Sequence, residues 1–572
     1  MTSQIKRTRF NPLLLWLLPL VFLALFYFYP LGSIFQTSFS RLEGPLASGL
    51  WEAVTSPAAV DALGFTVYQA VLSTLLTLVL GLPAAYLFGR YQFPGKNLLR
   101  ALTGVPFVMP TLVVAAGFSA LLGPNGLGNR LLMNLFQLNE PPIQFVNTLG
   151  AILTAHVFYN TTIIIRVVGD FWSRLDPRMG QAAARLGASP WETFRRVTLP
   201  LLAPAVMAAA LLVFIFDFTS FGVVLVLGGP RFATLEVEIY HQTVSLFNLP
   251  LASVLSILQL GFTLTLTVLY TRLISRVSRP ISLQSRERTE QQLTSWRARA
   301  AAGLLILALL ALLVLPLAAL AARSVIPLQA GGPRAGDGPA GPTLAFYRAL
   351  GQNPRQSLFY VPPTTALAVS LGYAAATVVL ALLLGLPAAW ALARDRRAPL
   401  NKVLDPLLML PLGTSAVTLG LGFLVALDQP PLDLRASPLL IPLAHTLVAF
   451  PFVVRSLTPA LESIQPSLRQ AARVLGASPQ AVIRHIDLPL IGRALLVAAS
   501  FAFTISLGEF GASSLIVRPE YPTVPVVIYR FLSRPGALNY GQAMALCTIL
   551  MAAALGGMLV MERFRVGEVG EF

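Results

Sequence analysis

Gln181-Ala182-Ala183-Ala184-Arg185-Leu186-Gly187-Ala188-Ser189-Pro190 returns later in the chain as Gln470-Ala471-Ala472-Arg473-Val474-Leu475-Gly476-Ala477-Ser478-Pro479. Each copy then runs into Leu-Pro, at 199–200 and 488–489, and every matched position is displaced by 289 residues (181 to 470). Both copies lie in basic loops between long apolar segments. A polar motif repeated this strictly is not explained by packing in lipid, and it reads as two copies of a docking surface for a soluble partner. In each copy the Gln-Ala-Ala segment favours helix, and Gly187 or Gly476 ends that helix as a C-terminal breaker. Ser189-Pro190 and Ser478-Pro479 then start a second short helix, with serine as its cap and proline at its first position. That helix carries Trp191, Phe194, Arg195 and Arg196 in one copy, and Val482, Ile483, Arg484 and His485 in the other. An interfacial helix that merely caps the bundle is the plainer reading of one copy, but two copies at identical internal spacing weigh against it.

Composition places the rest of the chain in lipid. Of 572 residues, 55% are hydrophobic and only 11% charged, with a mean hydropathy of +0.72. Soluble domains carry roughly 25% charged residues. The length accommodates about twelve spans of ~20 residues. A net charge of +17 would suit nucleic acid, but the basic residues cluster in alternate loops, as membrane topology requires. The single cysteine, Cys547, excludes a disulfide framework, and four dispersed histidines argue against a dedicated structural zinc site.

Apolar runs predict spans near 13–35, 64–89, 101–122, 148–168, 200–228 and 250–274, then near 299–322, 364–393, 402–426, 437–455, 490–516 and 538–561. Basic clusters before the first span and after the second, fourth, sixth and eighth put both termini in the cytoplasm. The long loop 323–363, with four arginines on the expected outer side, is the exception. The first apolar run is long for a signal peptide and lacks a clear cleavage site, so a retained anchor is expected. Gly81-Leu82-Pro83-Ala84-Ala85-Tyr86 recurs as Gly385-Leu386-Pro387-Ala388-Ala389-Trp390, and His156 and Arg166 match His445 and Arg455. The chain therefore reads as a duplication: residues 1–280 form the first repeat of six spans, 281–298 a charged linker and 299–572 the second. Each repeat starts on the same side, which makes the halves parallel, a known transporter arrangement.

The loop motif resembles the cytoplasmic "EAA" loop of ABC importer permeases, with glutamine replacing glutamate at 181 and 470. That change bears on any specific salt bridge to the ATPase. The resemblance covers the whole chain, whose organisation is similar to the fused two-half permeases of the ferric-iron and thiamine importers. Ser506-Leu507-Gly508-Glu509-Phe510-Gly511 and Thr219-Ser220-Phe221-Gly222 add to it. The resemblance implies an all-α membrane protein of about twelve helices in two parallel six-helix repeats, the type I ABC importer permease fold. It also implies a place in the bacterial cytoplasmic (inner) membrane. Residues 181–200 and 470–489 would then carry coupling helices seated on two copies of an ATPase subunit. A periplasmic or lipid-anchored binding protein would deliver the cargo, which alternating access carries inward. No cofactor is expected in this chain, because ATP and Mg are bound by the partner ATPase. The chain has no Gly-x4-Gly-Lys-Ser/Thr loop of its own; Gly123-Pro124-Asn125-Gly126-Leu127-Gly128 lacks the lysine.

Ionisable residues inside spans are costly and mark functional sites by default. Asp217 and Glu509 fall at near-equivalent depth, Asp217 aligning with Ser506 and Glu509 with Ser220. Two readings stand for them. Facing each other across a central path, with Phe216, Phe218, Phe221 and Phe510 nearby, they would attract a cation such as the thiazolium of thiamine. Alternatively they hydrogen-bond to neighbouring helices and hold the bundle together. His156 and His445 either flank the path or, the stronger reading, bond between helices. Carboxylates would also suit ferric iron, so no metal site is assigned. Arg166 and Arg455 are expected to snorkel at the inner ends. The segments near Arg231 and Arg518, with Glu236, Glu238 and Glu520, read either as a face for the binding protein or as solvated turns. Other classes remain to be set against this one. A proton- or ion-coupled secondary transporter would use Asp217 and Glu509 as carriers but leaves the twin loops unexplained. A membrane enzyme lacks a visible nucleophile–base pair.

Overall fold

The computed structural model describes residues 12–40, 51, 54–277, 291–327, 341–352, 361–394, 399–428 and 432–564. Among them ten helices are long and apolar enough to cross a membrane, and two sharply bent pairs bring the number to twelve. The first repeat begins with α1 (Leu15–Ser38) and the long α2 (Pro57–Arg90). After these come α3 (Thr111–Leu122) and α4 (Leu149–Arg174). Two short helices, α5 (Pro177–Arg185) and α6 (Pro190–Thr193), precede α7 (Leu199–Phe218). The short α8 (Gly222–Leu227) and α9 (Leu235–Val244) lead to α10 (Leu249–Val277). The second repeat starts with α11 (Trp296–Arg323), α12 (Pro363–Arg394), α13 (Ala416–Ala426) and α14 (Leu440–Glu462). It continues through the short α15 (Pro466–Val474) and α16 (Pro479–Val482) to α17 (Gly492–Gly508). Short helices α18 (Gly511–Ile516) and α19 (Val524–Leu532) precede α20 (Ala537–Phe564).

Local chemistry sets several starts. Ser56 caps α2 by accepting from the Ala59 N–H at 3.4 Å, with Pro57 behind it, and Thr148 caps α4 through the Ala151 N–H at 3.2 Å. The same chemistry corrects three of the span limits expected from hydropathy. The third span starts at Thr111 rather than 101, because Pro110 forces Met109 into an extended conformation (ψ 130°) and breaks the helix. The runs 200–228 and 490–516 are not continuous: α7 ends at Phe218 and α17 at Gly508, and α8 and α18 are separate turns of helix. An apolar run hides such a break, since hydropathy reports burial in lipid and not backbone direction. The run 402–426 also bends, by 94°.

The chain folds as two compact units that cut across the repeats. One holds α1 with α12 to α18; inside it the Tyr27 hydroxyl meets Thr414 Oγ1 at 2.7 Å, and a Cβ at Gly422 would lie 3.0 Å from Pro30. The other holds α2 to α11, where Gly117 of α3 lies against the Pro316 carbonyl of α11. Each unit thus takes its first span from the other repeat. Duplication identifies equivalent segments; it does not say which copies pack together. Of the expected linker 281–298, residues up to 290 lie outside the described residues, and Gln291–Gln292 pair in parallel with Tyr91–Gln92.

Within both units the tightest helix pair is the one the Gly-Leu-Pro-Ala-Ala motif serves. Ala84, Ala85, Ala388 and Ala389 are fully buried. Gly81 abuts Ile164 of α4, and Gly385 abuts Val453 of α14, the residue 289 positions on from Ile164. Small residues let helices approach closely where lipid offers no hydrophobic drive.

Candidate functional site

The repeated loops have the same backbone. Ala188 N–H donates to Ala183 O (3.1 Å) and Gly187 N–H to Ala184 O (3.0 Å), closing α5; Ala477 to Ala472 (2.9 Å) and Gly476 to Arg473 (3.0 Å) close α15. Gly187 and Gly476 take φ of +89° and +85°, while a Cβ at either would touch nothing within 4 Å. Glycine is therefore required by the left-handed turn and not by crowding. Ser189 Oγ accepts from Glu192 N–H (3.3 Å), and Ser189 N–H donates to the Glu192 carboxylate (3.0 Å), a reciprocal cap for α6. In the second copy Ser478 Oγ accepts from Ala481 N–H at 3.2 Å without a returning carboxylate. A wide five-residue turn, Phe194–Thr198 or Ile483–Asp487, joins each short helix to the Leu-Pro start of the next one.

The loops are anchored differently. Trp191 stacks on Phe194, which stacks on Trp172 of α4. The second copy uses an ion pair instead, Arg469 Nε to the buried Asp487 carboxylate at 2.7 Å; glycine and threonine stand at the matching positions 180 and 198. Both leave large apolar groups uncovered: Leu186 is 88% exposed and Trp191 66%, and Val474 and Leu475 are 86% and 87% exposed. Gln181, Ala182, Gln470 and Ala471 are exposed beside them, with Ala183 and Ala472 half-buried. Apolar side chains displayed so fully, twice over and in the same internal geometry, suit a surface that a partner covers.

The Glu192 carboxylate is held below the ordinary glutamate range, first by the Ser189 N–H and hydroxyl and then by Arg196. A depressed carboxylate contributes order above its unfolded value and loses it as pH falls through the folded one. Amide protection of residues 190–193 is therefore expected to stay level from pH 8 to 5 and to fall only below about pH 4. Ser189→Ala should speed exchange there about fivefold at neutral pH, the factor a lost N-cap represents. Hydrogen-exchange mass spectrometry checks both.

Buried polar clusters form the second candidate. His156 and Asp217 are nearly inaccessible, and Asp217 sits one residue from the end of α7 instead of mid-span. Asn160 Nδ2 donates to Asp217 Oδ1 (2.6 Å), Gln69 Nε2 to the Asp217 carbonyl (2.7 Å), and His156 meets Ser220 Oγ at 2.8 Å. Glu509 follows the end of α17 and accepts from the Ala512 and Ser513 N–H groups (2.8 and 3.0 Å), so it caps α18. His445 lies between Ser506 Oγ and Ser513 Oγ, each at 2.8 Å, and reaches the Glu509 carboxylate at 3.1 Å. Phe218 and Phe510 are buried, Phe218 stacking on Phe262, whereas Phe216 is 37% exposed. Glu236 does not belong to an open outer face: it is buried and accepts from Gln259 Nε2 at 2.5 Å. Arg455 is half-exposed and lies 3.5 Å from Asp405.

Sequence reasoning passed over Asn160, Gln69 and two hydroxyl pairs. Thr66 Oγ1 accepts the Leu235 N–H and Ser370 Oγ the Val524 N–H, both at 2.8 Å, fixing the starts of α9 and α19. Thr377 Oγ1 accepts from Ser506 Oγ at 3.2 Å. The signal was present: Thr66 and Ser370 share the 304-residue offset of Gly81 and Gly385 (81 to 385).

Two sets of equivalent spans, each with one exposed short-helix loop, define a duplicated multi-span helical membrane protein. The chain belongs to the family of binding-protein-dependent transport system inner membrane components, whose model matches residues 78–279 and 381–561, once in each repeat. It is a fused two-half ABC importer permease and a multi-pass inner-membrane protein. It is 29% identical over 501 residues to the thiamine transport system permease protein of Brucella abortus, covering 87% of this chain and 86% of that one. A probable ABC transporter permease of Sinorhizobium fredii is 27% identical over 99% of both chains. A putative 2-aminoethylphosphonate transport system permease of Salmonella typhimurium is 28% identical over 267 residues, 46% of this chain but 93% of its own. That relative spans about one repeat, so one repeat is the length of a whole permease there.

Proposed function

We propose that this chain is the membrane subunit of an ATP-driven importer for a small solute of the thiamine class. The twin loops are its coupling surfaces, facing the cytoplasm with both termini, and each receives one ATPase subunit. The observation that carries this reading is the pair of left-handed glycines, each followed by a capped short helix and beside exposed leucine. A rigid helix tip displaying apolar groups fits a groove on a soluble protein and transmits its displacement into α7 or α17. ATP binding would draw the two tips together and open a central path outward, where a binding protein releases cargo. Thiamine is preferred over ferric iron because the Brucella abortus relative is named for it across most of both chains.

Affinity capture of the tagged chain from its native membranes, with mass spectrometry of the co-purifying proteins, tests the partner assignment. A P-loop ATPase at about two copies per chain is expected. A chain that comes down alone under conditions that preserve complexes would point to ion-driven transport instead.

A further inference from the structure

We infer that a histidine in each repeat latches the break after the fifth span, its two ring nitrogens facing one carboxylate and one serine whose order is reversed between the repeats. The two positions faced lie three residues apart, the first near the helix end and the second in the break, 217 and 220 in one repeat and 506 and 509 in the other. The first repeat places acid then serine, Asp217 and Ser220; the second places serine then acid, Ser506 and Glu509. The rings are set alike. Nδ1 faces the first position: in His445 it hydrogen-bonds Ser506 Oγ at 2.8 Å, and in His156 it stands 3.4 Å from Asp217 Oδ1 without a hydrogen bond, that oxygen accepting from Asn160 Nδ2. Nε2 faces the second, at 2.8 Å from Ser220 Oγ and 3.1 Å from Glu509 Oε2. Both histidines and both acids are buried, where an ionisable group is tolerated only with partners.

A carboxylate kept for one position would recur at that position. Here it has changed places with the serine while each ring nitrogen still faces the same position, so what both repeats share is the bridge. The bridge joins α4 to the end of α7 and to the break before α8, and α14 to the end of α17 and to the break before α18. Beyond α8 and α18, Thr66 and Ser370 hold the starts of α9 and α19, so each short helix after a break is pinned on both sides. In an importer of the kind proposed above, on which this role rests, such a break is where the fifth span turns as the coupling loop moves. His156, Asp217, Ser220, His445, Ser506 and Glu509 are then positioning residues.

Reversal is also the test. In nanodisc-held full chain, Asp217→Ser is expected to speed amide exchange of Val223–Leu227 about tenfold, the factor carried by the loss of a buried hydrogen-bond acceptor. Asp217→Ser with Ser220→Glu, which gives the first repeat the order of the second, should return exchange to within about threefold of the unaltered chain. If Asp217→Ser does not accumulate, recovery of folded chain by the reversed pair supports the latch in the same way. An unchanged single variant overturns it, as does a reversed pair that is no better than the single. In the complex with ATPase and binding protein, stimulated hydrolysis should follow the same order. Absence of stimulation in the unaltered complex would count against the importer reading, while the exchange result still decides the latch.

Discussion

Replacing Gly187 and Gly476 together with proline is expected to leave the chain inserted and folded but to bring ATP hydrolysis by its partner subunits down to the unstimulated level. Both glycines hold φ near +85 to +89°, and proline is fixed near −65°. Each N–H also closes the preceding helix, on Ala184 O or Arg473 O, and proline has none to give. Proline can neither adopt the left-handed turn nor donate the closing bond, and the loss falls on loops whose side chains are largely exposed, away from the buried spans. Insertion should therefore survive while the direction of α6 and α16 is lost. Alanine makes the graded control: it keeps the N–H, and a Cβ meets no neighbour at either site, so only the left-handed penalty of about 1–2 kcal/mol remains. Partial stimulation is expected for the alanine pair. The measurement is binding-protein-stimulated ATPase of the reconstituted complex, and full activity in the proline pair would sink the docking assignment.

The loops were legible because the information in them is local. A breaker glycine, a capping serine and a proline at the first helical position act within a few residues of themselves, and the 289-residue repeat singled them out. The twelve apolar segments were legible for a similar reason, since solvation by lipid is read residue by residue. What escaped depends on non-local geometry. The breaks at 219–221 and 509–510 interrupt apolar runs, so Asp217 looked mid-span when it stands at a helix end. The exchange of α1 and α11 between compact units leaves no trace in either repeat. Thr66 and Ser370 were hidden by a change of offset from 304 to 289 residues. The fifteen-residue difference lies in the connection between α3 and α4, where the first repeat carries an extra helix, Leu127–Phe136, with no counterpart among the described residues of the second.

Enlarging the glycine at the centre of either tight helix pair should cost the chain its fold. A Cβ at Gly81 would lie 2.7 Å from Ile164 Cβ and 2.8 Å from its Cγ2; one at Gly385 would lie 2.5 Å from Val453 Cγ1. Real Cβ atoms do not approach so closely, and the neighbours have nowhere to go, because Ile164 and Val453 are fully buried and branch at Cβ. The helices must then separate, giving up the buried alanines on either side. Overpacking by even a methyl group typically costs about 1–3 kcal/mol, against a total of about 5–15 kcal/mol for a folded domain. Gly81→Leu or Gly385→Leu, several methyl groups beyond that, should yield chain that does not accumulate in the membrane. Gly385→Ala alone should lower the thermal midpoint in detergent, and Val453→Ala in the same chain should recover much of the loss by removing the branch it strikes. A compensating effect of that kind separates a packing clash from a general intolerance of change in α12. Gly385→Leu chain of normal yield and midpoint would mean that α12 and α14 do not meet as closely as Gly385 and Val453 place them.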